Sequence, residues 1–146
     1  MEGAMSLDRF VEAQDRIWPA PLREITAGRK VSHWMWFVFP QLAVLGRSGT
    51  AKFYGIEGLA EAKAYLAHPV LGARLEQAAQ AMLRHRGRAA ADILGPVDAM
   101  KLRSSMTLFE AVEGATPVFG EVLGAFYGGE RCGVTVRELE RGALGL

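Results

Sequence analysis

Apolar side chains recur every three or four residues along most of this chain, which is the spacing of amphipathic helices. The clearest example runs from Pro69 to Arg86, where a proline precedes the apolar stripe and a basic cluster follows it. Ser6 is suited to cap the first helix, and Pro21 and Gly28 are suited to begin and end the second. Further helical stretches are predicted at 58–68, at 89–94, at 98–112 and from 117 onward.

The sequence does not decide between helix and strand for two segments. Segment 32–41 contains a dense apolar run whose propensity favours a short buried strand, while Pro40 and the length of the run also allow a helix. The tail at 134–139 fits either a terminal helix or a strand. Taken with the periodic stretches, the sequence predicts an all-α, mainly helical fold: a compact non-bundle array of about seven or eight short helices around one core.

Length and composition are those of one folded unit. The chain has 146 residues, of which 50% are hydrophobic and 23% are charged. Domains typically contain about 100–150 residues, and a chain of this size needs no metal or disulfide to hold a core. We therefore expect residues 1–5 to be a disordered leader and residues 6–146 to be a single helical domain.

Charge and residue counts exclude several classes of function. The net charge of +1 argues against nucleic acid as a partner, because nucleic-acid binders normally present a strongly basic face. No apolar run approaches the roughly 20 residues that cross a bilayer, so no membrane partner is expected and the cytoplasm is the expected compartment. Cys132 is the only cysteine, and His33, His68 and His85 lack metal-ligand spacing. The sequence thus predicts no disulfide, no metal site and no cofactor, and it does not indicate the oligomeric state.

The first unusual stretch is the aromatic segment from His33 to Gln41. It contains Trp34 and Trp36, two of the three tryptophans in the chain. Indole rings beside an imidazole and a carboxamide could hold a nucleobase, a nicotinamide or another flat group. The alternative is a core segment whose polar atoms are satisfied internally.

The second unusual stretch is the hydroxyl-rich segment 98–109. On a helix, Lys101 lies one turn from Ser105, and Ser104 and Thr107 share a face distinct from the apolar stripe. These groups could bind phosphate or sugar oxygens, with Lys101 as a point charge. Alternatively, the hydroxyls bond back to carbonyls of the preceding helical turn.

Two weaker features are a glycine-containing loop and the single cysteine. The loop at 46–49 could offer backbone donors and Arg47 to an anion, although a solvent-exposed turn is the simpler interpretation. Cys132 lies in a glycine-rich loop, where we expect a bystander rather than a catalytic thiol.

Segments 29–41 and 98–109 resemble the hallmark motifs of a bacterial family, the domain-of-unknown-function family eighteen-ten (DUF1810), whose members are often labelled calpastatin. The resemblance covers nearly the whole chain from Leu7 and departs from the family pattern at Val31 and Cys132. It implies a mainly α-helical fold and brings no established activity. The calpastatin label does not fit, because such an inhibitor would be a repeated, weakly hydrophobic, disordered chain. Further matching segments lie at 54–56, 61–62, 65–69 and 71–75.

Two functional hypotheses follow from these segments. In the first, the domain binds a small molecule, best a nucleotide or an ADP-ribose-like compound, in a pocket of aromatic and hydroxyl side chains. His33 is then the candidate general base if the ligand turns over, with hydrolase and N-glycosidase as the first reaction classes to test. In the second, Met35, Trp36 and Phe37 form an exposed aromatic anchor for a protein partner, with no catalysis. The ligand-binding residues of the first hypothesis are Trp34, Trp36, Gln41, Lys101, Ser104, Ser105 and Thr107.

Overall fold

The computed structural model describes residues 6–145, and within that range it contains ten α-helices, one short 3-10 turn at Ala43–Leu45 and no strand. The predicted all-α class is confirmed, with ten helices where the sequence suggested seven or eight. The expected disordered leader at 1–5 lies outside the described residues. In chain order the helices are α1 (Asp8–Asp15), α2 (Ala20–Ala27), α3 (Met35–Val38), α4 (Gly49–Phe53), α5 (Leu59–Ala67), α6 (Leu71–Leu83), α7 (Ala90–Leu94), α8 (Pro96–Glu110), α9 (Val118–Tyr127) and α10 (Gly133–Ala143).

Local signals determine where several of these helices begin and end. The Ser6 hydroxyl accepts a hydrogen bond of 3.0 Å from the Asp8 amide at the start of α1. Gly28 ends α2 with a φ of 79°, a left-handed conformation that costs glycine little. Pro96 begins α8, two residues before the predicted start at 98, so Asp98 lies in the first turn of that helix.

The two undecided segments contain helix and no strand. Within segment 32–41 only Met35–Val38 is helical, as the single turn of α3, and the tail at 134–139 lies in the first turns of α10. Leu59, the first residue of α5, is 43% exposed. No helix among the described residues has the length and apolar character needed to cross a membrane.

Helix α8 lies at the centre of the fold and packs against α5, α7, α9 and α10. Its buried stripe contains Leu102, Met106 and Phe109, all fully buried. The Phe109 ring lies 5.3 Å from the Tyr65 ring of α5 and 5.9 Å from the Phe119 ring of α9, measured between centroids. Burial of these rings positions the opposite, partly exposed face of α8 toward the cleft described below.

A short backbone pairing joins the 3-10 turn to the residues after α4. The Ile56 amide donates to the Gln41 carbonyl at 2.9 Å, and the Ala43 amide donates to the Ile56 carbonyl at 2.8 Å. Gly55 permits this approach, because a Cβ there would lie 2.3 Å from the Ala43 Cα. The pairing fixes the 3-10 turn and α4 as one wall of the same cleft.

Candidate functional site

A cleft of about 680 Å³ opens between α3, the 3-10 turn, α8 and the first turn of α10. Its volume falls within the range of about 300–1,000 Å³ that small-molecule sites occupy. We call it the Trp36 cleft. Its lining residues are Trp36, Gln41, Val44, Leu45, Gly46, Arg47, Ser48, Ala51, Val97, Met100, Lys101, Arg103, Ser104, Cys132, Gly133 and Val134.

The two unusual segments of the sequence meet in this cleft. Trp36 and Gln41 come from the aromatic segment, whereas Lys101 and Ser104 come from the hydroxyl-rich segment. Arg47, from the glycine-containing loop, also lines the cleft. Cys132 lines the cleft as well, whereas His33, Trp34, Ser105 and Thr107 do not.

The aromatic segment divides between the cleft and the core. His33 is exposed and does not line the cleft. Trp34 is fully buried, and its indole nitrogen donates a 2.9 Å hydrogen bond to the Glu24 carboxylate. Trp34 is therefore a core residue whose polar atom is satisfied internally, which was the alternative interpretation of this segment. The neighbouring Trp36 is only half-buried and faces the cleft.

The hydroxyl-rich segment divides in the same way. The Thr107 hydroxyl donates to the Arg103 carbonyl at 2.7 Å and accepts from the Cys132 amide at 3.0 Å. Ser105 is fully buried, and its hydroxyl has no hydrogen-bond partner among the described residues. Neither side chain lines the Trp36 cleft. Thr107 thus supports the cleft from behind, by fixing the backbone at Cys132.

The cleft lining is cationic. It includes Arg47, Lys101 and Arg103 and contains no aspartate or glutamate. Arg47 is exposed and forms no ion pair within the described chain. Arg103 lies 3.3 Å from the Glu130 carboxylate, whose side chain is 79% exposed, so solvent weakens this pair. The cleft therefore presents positive charge that nothing in its own lining neutralises.

Two lysines connect both tryptophans to one carboxylate. The Lys101 ammonium lies 5.5 Å from the Trp36 ring centroid, and the Lys30 ammonium lies 5.1 Å from the Trp34 ring centroid. Asp98 lies between them, 3.0 Å from the Lys30 nitrogen and 3.8 Å from that of Lys101. The closer partner of Asp98 is thus Lys30, which leaves Lys101 the more available of the two to a ligand.

Sequence reasoning missed Cys132 as a member of the site. The residue immediately precedes α10, and its sulfur lies 3.4 Å from the Ser104 hydroxyl. Burial raises the pKa of the thiol, but hydrogen bonds from Ser104 and from the Val134 and Thr135 amides outweigh burial, so the pKa lies below its ordinary value. The available signal was its position directly before an apolar-periodic stretch, where a helix N-terminus favours a thiolate.

The pKa of Cys132 gives a direct test of this geometry. The rate of alkylation by iodoacetamide should rise with pH around a midpoint below the roughly 8.5 of an unperturbed thiol. The Ser104→Ala variant should move the midpoint upward, because it removes the hydroxyl next to the sulfur. Ser105→Ala is the matched control, since its hydroxyl is buried one residue away and does not line the cleft. Equal midpoints in all three proteins would contradict the Ser104 contact.

Comparison with known proteins gives the following matches. A family model described as a protein of unknown function, DUF1810, matches residues 4–139. Among solved structures, the chain is similar to the conserved hypothetical protein Rv1873 from Mycobacterium tuberculosis, with 46% sequence identity and a TM-score of 0.89. That alignment covers 92% of this chain and 96% of the other. A search of curated proteins finds no match.

Proposed function

This chain belongs to the DUF1810 family of proteins of unknown function, and we propose that it binds a small negatively charged molecule in the Trp36 cleft. The observation that carries the proposal is the convergence of three cationic side chains on a cleft whose lining holds no carboxylate. An anion entering the cleft would be attracted by Arg47, which forms no ion pair within the described chain, and by Lys101, whose ammonium lies 3.8 Å from the Asp98 carboxylate.

The preferred ligand has both a flat part and acidic oxygens, as a nucleotide or an ADP-ribose-like compound does. Trp36 offers an indole surface and Gln41 offers hydrogen bonds. The Ser104 hydroxyl can only accept, because its proton is directed to the Met100 carbonyl at 3.2 Å or to the Cys132 sulfur. Lys101 and Arg47 can neutralise a phosphate from two sides, one from α8 and one from the loop before α4. The ligand class is therefore the one that the sequence suggested, held by a partly different set of side chains.

We propose ligand binding and no catalytic step. His33, the candidate general base, lies outside the Trp36 cleft, and the lining contains no other histidine and no carboxylate that could take a proton. Hydrolase or N-glycosidase activity is therefore not part of the proposal.

The competing idea of an exposed aromatic anchor has less support. Met35 is 2% exposed, and Phe37 is partly buried against the core. Of the three, only Trp36 lines the Trp36 cleft, which is concave. A concave site with one half-buried ring suits a small ligand better than the hot spot of a protein interface.

A thermal-shift screen of nucleotides, nicotinamide compounds and ADP-ribose derivatives tests the proposal. A ligand at 100 times its dissociation constant should stabilise the protein by about 2.7 kcal/mol, which corresponds to a rise of roughly 5–10 °C in Tm. Lys101→Met should remove most of this shift, because it deletes a cation of the cleft while keeping the length of the side chain. Lys63→Met, on the exposed face of α5, is the matched control and should retain it.

Two results would count against binding in this cleft. One is a screen in which no compound raises the Tm of the unmodified protein. The other is a shift that Lys101→Met and Lys63→Met preserve equally, since that would place the ligand elsewhere on the surface.

A further inference from the structure

Exposed apolar side chains are concentrated at the Trp36 cleft. Eight such side chains are exposed, and four of them line this cleft. We call these four the apolar rim: Val44 (65% exposed), Val97 (65%), Met100 (66%) and Val134 (46%). Exposed apolar residues that cluster in one place commonly mark a binding surface, whereas isolated ones need no explanation.

Two residues of the apolar rim, Val97 and Met100, share one face of α8 with Lys101. Val97, Met100, Lys101 and Ser104 are spaced three, four and seven residues from the first, so they project from the same side of the helix. This face turns away from the core stripe and is covered by no other helix at Val97 and Met100, which remain exposed. A ligand lying along α8 would therefore meet apolar and cationic side chains together.

We propose that the natural ligand of the Trp36 cleft is an amphiphilic organic anion, with an acidic group bound by Arg47 and Lys101 and an apolar body that covers the apolar rim. The inference rests on the proposed function and narrows its ligand class. A plain nucleotide would use the cations and Trp36 and would leave the rim in water. An apolar body attached to the acidic group uses both halves of the surface.

The shape and charge of the site favour a free small molecule over a protein partner. The rim surrounds a concave volume of about 680 Å³ and does not form a flat face. Specific protein interfaces bury roughly 800 Å² on each partner, far more than four side chains supply. The absence of carboxylates from the lining complements an acidic group at the centre of the rim.

A homologous series of alkyl phosphates tests the inference by isothermal titration calorimetry. The probes are inorganic phosphate, butyl phosphate, hexyl phosphate and octyl phosphate, each below its micelle concentration. Affinity should rise about two- to fourfold for each added methylene, the upper figure corresponding to full burial. From butyl to octyl phosphate the expected gain is therefore at least about 16-fold.

Variants separate the two halves of the site. The double variant Val97→Ser, Met100→Gln should abolish most of the increase in affinity with alkyl chain length. Val134→Ser should reduce the same increase independently. Val31→Ser is the matched control, because Val31 is 66% exposed and does not line the cleft. Lys101→Met should weaken every probe by a similar factor and leave the dependence on chain length intact.

Each remaining outcome overturns the inference. If affinity does not change along the alkyl phosphate series but nucleotides still raise the Tm, the amphiphilic ligand is refuted and the proposed function stands. Failure of every phosphate and nucleotide probe would refute both. A chain-length dependence that survives loss of Val97 and Met100 would place the alkyl group elsewhere. If the unmodified protein gives a flat series and is a dimer by analytical ultracentrifugation while the rim variants are monomers, the rim would be assigned to a second copy of the chain.

Discussion

Replacing Arg9 with methionine is expected to lower the free energy of unfolding by about 3–5 kcal/mol, because it removes a buried charge from its partners. Arg9 is 7% exposed on α1. Its guanidinium donates to the Phe53 carbonyl at 2.8 Å and to the Gly55 carbonyl at 2.9 Å, and it forms an ion pair with Glu61 at 3.3 Å. Methionine keeps the length of the side chain and leaves those acceptors without their donor.

Urea unfolding at neutral pH measures this effect. Arg23→Met on α2 is the control, because Arg23 is exposed and forms no ion pair among the described residues; its change should stay within about 0.5 kcal/mol. A loss of less than 1 kcal/mol in Arg9→Met would show that water replaces the guanidinium without penalty. Arg9 also bears on the Trp36 cleft, because it holds the carbonyls of Phe53 and Gly55, which lie next to the lining residue Ala51 along the chain.

Burial of Arg9 illustrates what the sequence could not predict. Helical spacing predicted the first helix, which begins at Asp8; its N-cap is Leu7 and not Ser6, although the Ser6 hydroxyl accepts from the Asp8 amide. Spacing gives no reason to bury Arg9, because the carbonyls that accept its hydrogen bonds lie 44 and 46 residues further along the chain. Local periodicity identifies helix faces, but only tertiary packing brings distant acceptors to a charged side chain.

The candidate site was predictable to the same limited extent. Residue chemistry identified Trp36, Gln41, Lys101 and Ser104, which line one cleft, because indole, amide, amine and hydroxyl groups are unusual together in a helical domain. It could not separate Trp36 from the adjacent Trp34, since the single turn of α3 decides which of the two faces the cleft. It also missed the contact between Ser104 and Cys132, which lie 28 residues apart.

Glu24 is the second residue whose loss should have a large effect, and it organises the aromatic segment. Its carboxylate accepts hydrogen bonds from the Val31 amide at 2.9 Å, from the amide and hydroxyl of Ser32, and from the Trp34 indole at 2.9 Å. Glu24→Ala leaves the fully buried indole nitrogen without an acceptor, and we expect a loss of about 2–3 kcal/mol in the free energy of unfolding. Glu113→Ala, in the exposed turn after α8, is the control and should change little.

The same carboxylate predicts a dependence on pH. Burial raises the pKa of Glu24, but the hydrogen bonds from Ser32, Val31 and Trp34 outweigh burial and lower the pKa from 4.5 to about 2. Because the folded pKa is the lower one, the stabilisation is complete above pH 4.5 and is lost as the pH falls toward 2. Discounted for solvent screening, the loss should reach about 1 kcal/mol by pH 3.

Urea unfolding at pH 6 and pH 3 then separates the roles of Glu24. The stability difference between the unmodified protein and Glu24→Ala should be about 1 kcal/mol smaller at pH 3 than at pH 6. Glu113→Ala should show no such narrowing. An unchanged difference would mean that the carboxylate acts only by filling space beneath the aromatic segment. A narrowing would show that its negative charge holds Trp34 in the core, and with it the turn of α3 that presents Trp36 to the cleft.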